Sequence, residues 1–213
     1  MFSFKSPTTI SVTGNTCSGK STFVRRLLEN KDCMFNPTPD KVLYAYGIWQ
    51  SAFNNLEQSH PFIQLHEGVP SIETIKSFAE NNRGRLVVLD DLMHEVLKNR
   101  DMDNLFCRCA HHLGITIIYV TQNMFCSGRW SRNINLNTHY MVLMKSLRDV
   151  NQIKVLAQQT GMGNLLTEAY ADVHSEPYAY LVVDLSPTSC DDFRLMTKIF
   201  PGELPLVYKK KAA

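Results

Sequence analysis

No two cysteines in this chain stand in a C-x-x-C spacing. The six cysteines sit at 17, 33, 107, 109, 126 and 190, and the one close pair, Cys107 and Cys109, lies in a helical stretch near His111 and His112. Zinc spacing calls for a second ligand pair elsewhere, so the thiols read as reduced side chains of an intracellular protein. No apolar run approaches the roughly 18 residues of a membrane span, and Met1–Lys5 lacks a signal-peptide core. A soluble protein with no membrane partner is expected. Charge of one sign is also in short supply: 22 Lys and Arg against 20 Asp and Glu leave a formal net charge of +2. Non-specific nucleic-acid binders carry a larger basic excess, so any DNA contact must come from a local patch or from repetition in an oligomer. Internal repeats and low-complexity linkers are missing too. With 213 residues and 44% hydrophobic content, the chain suits one well-packed α/β domain and is short for two.

Against these absences stands one strong pattern. Gly14-Asn15-Thr16-Cys17-Ser18-Gly19-Lys20-Ser21 fits G-x-x-x-x-G-K-[ST], the phosphate-binding P-loop. A match of this length also arises by chance as a Gly-rich turn; flanking structure separates the two. Thr8–Thr13 reads as a short buried strand leading in, and Ser21–Asn30 has helical spacing leading out, with Phe23, Val24, Leu27 and Leu28 on one face. The glycines permit a turn whose backbone N–H groups converge on phosphate oxygens, and the helix N-terminus adds its positive end. Lys20 can reach the β/γ-phosphates and the Ser21 hydroxyl can hold Mg²⁺. The expected ligands are ATP and Mg²⁺, cradled by Gly14, Asn15, Thr16, Cys17, Ser18, Gly19, Lys20, Ser21 and Thr22.

Further apolar runs at 41–46, 62–66, 85–91, 115–120, 140–144 and 178–185 read as strands, the last as a sixth or edge strand. Helical stretches lie between them: one around Trp49–Leu56, one after Ser71, one over Met102–Leu113 and one over 150–159. Gly161-Met162-Gly163 reads as a helix-to-helix turn, and Trp49 and Phe53 as core. Strands apolar throughout and separated by helices imply an α/β fold, with a mainly parallel sheet covered by helices on both faces. Residues 1–200 form the expected domain. Residues 201–213, with Lys209-Lys210-Lys211, read as an extended basic tail.

The run Val87-Val88-Leu89 ends in Asp90-Asp91, seventy residues beyond Lys20. An acidic residue at the end of a core strand next to the P-loop secures Mg²⁺, the role that Asp90 fits. Asp91 is placed to orient or deprotonate the attacking water; the plain alternative is a pair of turn or capping aspartates. Gln122 stands where the 115–120 strand ends. Ligands of parallel sheets collect at that end, so its amide could meet the γ-phosphate or the water, or be only a polar strand end.

Together these elements resemble the additional-strand P-loop ATPases. More narrowly, the chain resembles the poxvirus-type genome-packaging branch of the FtsK–HerA superfamily, which includes the packaging ATPases of Polinton/Maverick elements and adintoviruses. The less generic parts are Leu65-His66-Glu67-Gly68-Val69-Pro70, Val88-Leu89-Asp90-Asp91-Leu92, Tyr119-Val120-Thr121-Gln122-Asn123, Leu136-Asn137-Thr138-His139-Tyr140, Arg148-Asp149 and Ala179–Leu185. The resemblance implies a homomeric ring of about five or six subunits that hydrolyses ATP to move double-stranded DNA into a preformed capsid, with capsid or portal vertex proteins as partners. It further implies a location at sites of virion assembly in the host nucleus or cytoplasm. Many relatives carry Glu where Asp91 stands, which makes Glu67 the second candidate for the base. An arginine from a neighbouring subunit is also implied; Arg132 is the first choice and Arg148 the second, with Arg129 in the same downstream segment. The rivals are a nucleoside or nucleotide kinase, a non-catalytic ATP-gated assembly factor, and a filamentous-phage extrusion ATPase, which would carry a membrane span.

Overall fold

The computed structural model describes residues 2–80, 84–106, 110–125, 131–147 and 150–210. Its strands are β1 Phe4–Lys5, β2 Thr9–Thr13, β3 Phe35–Asn36, β4 Lys41–Tyr46, β5 Ile63–Glu67, β6 Arg85–Asp90, β7 Ile115–Thr121, β8 Tyr140–Met144, β9 Tyr180–Asp184, β10 Leu195–Thr197 and β11 Leu206–Tyr208. β1 and β3 pair by themselves; the other nine form one sheet in the order β11-β10-β9-β8-β2-β7-β6-β4-β5. Neighbours from β8 to β5 are parallel, whereas β9, β10 and β11 each run antiparallel to the strand before. The mainly parallel α/β sheet expected from the apolar runs is the one the chain forms.

Strand periodicity decides which helix covers which face. Val42, Tyr44, Leu86, Val88, Ile118, Val120, Ile10 and Val12 point to one side, where they pack with Phe23, Val24, Leu27 and Leu28 of helix Lys20–Glu29. Leu43, Ala45, Val87, Leu89, Ile117 and Tyr119 point to the other, against Ile75 and Ala79 of helix Ile72–Ala79 and against Met93 and Val96. Beyond β2, Met141, Leu143, Leu181 and Val183 pack on helices Val150–Gln159 and Asn164–Val173. Both faces are thus covered, which is why the central strands read as unbroken apolar runs. Ser71 caps its helix as expected, its side chain accepting from the Thr74 N–H.

Some expectations change in detail. The 178–185 run is not an edge, because β10 and β11 extend the sheet past β9. Arg194 explains the return. Its guanidinium donates to the carbonyls of Asp184, Ser186 and Ser189 and so closes the loop that brings Leu195–Thr197 back beside β9. The segment read as a basic tail supplies β11 and Glu203, whose carboxylate meets Arg26 at 2.6 Å. Within the helix expected over Met102–Leu113, Arg100–Asn104 and Ala110–His112 are helical, and residues 107–109, including Cys107 and Cys109, lie outside the described residues. Trp49 is exposed, resting edge-on against Tyr46 and Phe53, while Phe53 is buried as expected.

Candidate functional site

The phosphate cradle begins where β2 ends. The Gly14 N–H donates to the Thr121 carbonyl at 3.2 Å, tying the loop to β7. A Cβ on Gly14 would sit 2.6 Å from the Met144 Cβ and 2.7 Å from the Ser18 Oγ, so the turn closes only around glycine. Gly19 adopts φ +98°, the left-handed conformation that favours glycine, and the helix starts at the next residue. Lys20 folds back over the loop, its Nζ donating to the Gly14 and Asn15 carbonyls at 2.6 and 2.8 Å. Among the described residues the Ser18 Oγ is buried with no hydrogen-bond partner, while Ser21 and Thr22 are exposed at the start of the helix. A buried hydroxyl without a partner among the described residues, a lysine resting on loop carbonyls and a helix N-terminus together fit a bound phosphate chain. Gly14→Ala should therefore cost stability, on the order of 1–3 kcal/mol as for other forced insertions, and weaken ATP binding as well. Denaturant unfolding and calorimetric titration would measure the two; a variant matching the wild type in both would show that the loop has slack.

Two carboxylates face this cradle across the sheet. Asp90 ends β6 and is only 3% exposed, and the Tyr44 hydroxyl donates to its Oδ2 at 2.6 Å. Burial pushes the Asp90 carboxyl above its ordinary range; Asp91 adds to the rise, while the Tyr44 hydrogen bond and Lys20 oppose it. Burial likewise pushes the Tyr44 hydroxyl well up, so it remains a donor. Lys20 is lowered by burial and raised again by the fields of Asp90 and Asp91, which puts all three groups within electrostatic reach of one another. β6 is not the immediate neighbour of β2. β7 lies between them, so Asp90 stands two strand spacings, about 10 Å, from the P-loop strand.

Asp91 leaves the strand at φ 57°, a conformation aspartate tolerates better than most residues, and is exposed. Gln122 follows the last residue of β7 and is exposed at the strand end that lies between the P-loop and Asp90. Glu67 ends β5 in the row Glu67–Tyr46–Asp90, on the far side of β4 and about 10 Å beyond Asp90. Arg132 is exposed on helix Ser131–Leu136, whose Ile134 packs on the sheet face opposite the P-loop helix. Arg129 and Arg148 lie outside the described residues. Sequence reasoning missed Tyr44. The usable clue was a tyrosine two residues before the end of a buried strand, since the register Tyr46 to Asp90 puts Tyr44 on the same face as the carboxylate.

A P-loop strand separated from an acid-ending strand by one inserted strand, within a mainly parallel sheet, defines an additional-strand P-loop NTPase. The chain has a P-loop NTPase fold. No family model matches the sequence, and no curated protein matches it. Solved structures do. The crystal structure of B204, the DNA-packaging ATPase from Sulfolobus turreted icosahedral virus, superposes with a TM-score of 0.58 at 12% identity, covering 96% of this chain and 98% of that one. The genome-packaging NTPase B204 of Sulfolobus turreted icosahedral virus 2, in complex with ATP-γS, gives 0.57 at 10%, covering 96% and 98%. The cytoplasmic domain of the type VII secretion ATPase EccC from Thermomonospora curvata gives 0.50 at 12%, covering 94% of this chain and 25% of that one. At these identities the likeness establishes the fold.

Proposed function

We propose that this chain is a genome-packaging ATPase that hydrolyses ATP to translocate double-stranded DNA into a preformed capsid. The observation that carries the proposal is the ordered row at the carboxyl ends of the central strands: Lys20 after β2, Gln122 after β7, Asp90 ending β6 and Asp91 after it. The likeness to B204 along nearly the whole of both chains supports it. In this reading Lys20 and the loop N–H groups hold the phosphates, and Ser21 and Asp90 hold Mg²⁺, which neutralises phosphate charge when bound. Asp91 accepts the proton of the attacking water, and Gln122 orients that water. Asp91 is preferred to Glu67 because β4 stands between Glu67 and the acid strand. Residues 1–200 are the ATPase domain and 201–213 its basic C-terminal segment. The chain acts in a ring of about five or six, completed at each junction by an arginine of the neighbouring subunit, Arg132 first and Arg148 second. The ring meets a capsid or portal vertex at sites of virion assembly.

A kinase reading is disfavoured by Arg194, the one arginine in the sequence after β9. It is committed to the Asp184–Arg194 loop and to Asp191 at 2.6 Å, not free to serve an acceptor lid. Among the described residues no helix is long and apolar enough to cross a membrane.

Phosphate release measured with and without double-stranded DNA, across protein concentration, tests the proposal. DNA should stimulate turnover, and specific activity should rise with concentration as subunits complete one another. With +2 per chain, a ring should neutralise on the order of five to ten phosphates, and log affinity should fall with log salt at about −0.9 per phosphate contacted. A DNA-independent, concentration-independent rate with a flat salt response would favour the kinase.

A further inference from the structure

Beside the phosphate cradle lies a cavity of about 570 Å³, lined in part by aromatic side chains. It opens at Gly19–Thr22 and follows the helix for a little over one turn to Arg26. Phe23, Tyr180 and Phe200 form its floor as one edge-to-face cluster, with ring centroids 4.8–5.8 Å apart. Arg26 stands at the far end, its guanidinium 4.1 Å above the Phe200 ring and fixed by Glu203 at 2.6 Å. Tyr178 forms the opposite rim. Its ring reaches within 3.4 Å of where a Gly19 Cβ would be, yet the residue is 70% exposed and sits at φ 57°, where a bulky residue is seldom found.

Tyr178 neither fills the core nor bonds a neighbour among the described contacts, so packing does not account for a large ring held there. A flat apolar group leaving the cradle along the helix would lie against that ring, over the aromatic floor, with the locked guanidinium ahead of it. Resting on the reading that the P-loop holds a nucleoside triphosphate, we infer that this cavity takes the base and that Tyr178 is its stacking residue. The aromatic side chains and the planar cation around it reward the larger face of a purine over that of a pyrimidine. Glu203 contributes indirectly, by fixing the plane of Arg26.

Calorimetric titration of the full chain with inorganic tripolyphosphate and with ATP, both with Mg²⁺, separates the base from the phosphates. Wild-type protein should bind both, ATP the more tightly, and CTP more weakly than ATP. Tyr178→Ala should lose about 5- to 150-fold in ATP affinity, the range of one base–aromatic stack, and keep its tripolyphosphate affinity. Tyr178→Phe should bind ATP within about twofold of wild type, because the ring and not the hydroxyl carries the contact. If Tyr178→Ala binds both ligands as the wild type does, the base lies elsewhere and this assignment falls while the P-loop reading stands. If the wild type binds neither ligand, the P-loop reading fails and the base site fails with it.

Discussion

Lys20→Ala is expected to lower ATP hydrolysis about 10²- to 10³-fold, the cost of removing one preorganised donor aimed at transition-state charge. In the proposed site it is the cation that contacts the phosphate chain directly. Its Nζ now donates to the Gly14 and Asn15 carbonyls, so it is already parked over the cradle and needs only to swing from carbonyl to phosphate oxygens. Hydrogen bonds to a charged group contribute roughly 1.5–3 kcal/mol each, so ATP binding should weaken markedly as well. Stability should change far less. The two carbonyls lie in a partly buried loop where water can replace the amine, and burial already works against the ammonium by lowering its pKa. Phosphate release, ATP titration and denaturant unfolding on the same preparation would show large, large and small effects in that order. Wild-type turnover in the variant would sink the P-loop assignment; a collapse in stability would mean that the lysine is structural.

How much of this was legible in the sequence depends on the range of the interactions. The P-loop and its flanking elements were readable because strand, turn and helix are contiguous and each has a local cause: buried alternation, glycine geometry and the 3.6-residue period of Phe23, Val24, Leu27 and Leu28. The acid-ending strand was readable for the same reason. What could not be read was which strands are neighbours. The insertion of β7 between β2 and β6 rests on pairings such as Thr13 with Thr121 and Asp90 with Val120, which no local pattern encodes. The same holds for β10 and β11. These are three-residue strands whose existence depends on the Arg194-closed loop and on the exposed edge of β9, and their sequences carry no run long enough to stand out. Tyr44 was hidden by its surroundings, an apolar strand in which a tyrosine passes for core. Arg26, an ordinary polar position on an amphipathic helix, gains a partner only because Glu203 returns from 177 residues away.

Asp90→Asn should sharply lower Mg²⁺-dependent hydrolysis and, without nucleotide or metal, make the fold more stable at neutral pH. The first half follows from charge: an amide keeps the shape but cannot help to neutralise a divalent cation. Removing one element of such a site costs on the order of 10²- to 10³-fold in turnover. The second half follows from burial. Because desolvation raises the Asp90 carboxyl above its ordinary value, the folded chain holds that proton more tightly than the unfolded chain does. Stability is therefore greatest where the group is protonated in both states, and it is lost as pH rises from the unfolded pKa through the folded one. Once ionised, the 3%-exposed carboxylate carries a desolvation cost that the Tyr44 hydrogen bond only partly offsets. Asparagine removes the charge and keeps an oxygen that can still accept from Tyr44. Urea unfolding from pH 4 to pH 8 in EDTA should show the variant ahead of wild type at pH 7 and 8, with the gap narrowing towards pH 4. A variant less stable than wild type at pH 7 would mean that the carboxylate is fully satisfied by its protein neighbours and is not held for a cation. A stabilised variant that still turns over with Mg²⁺ would move the metal role away from Asp90.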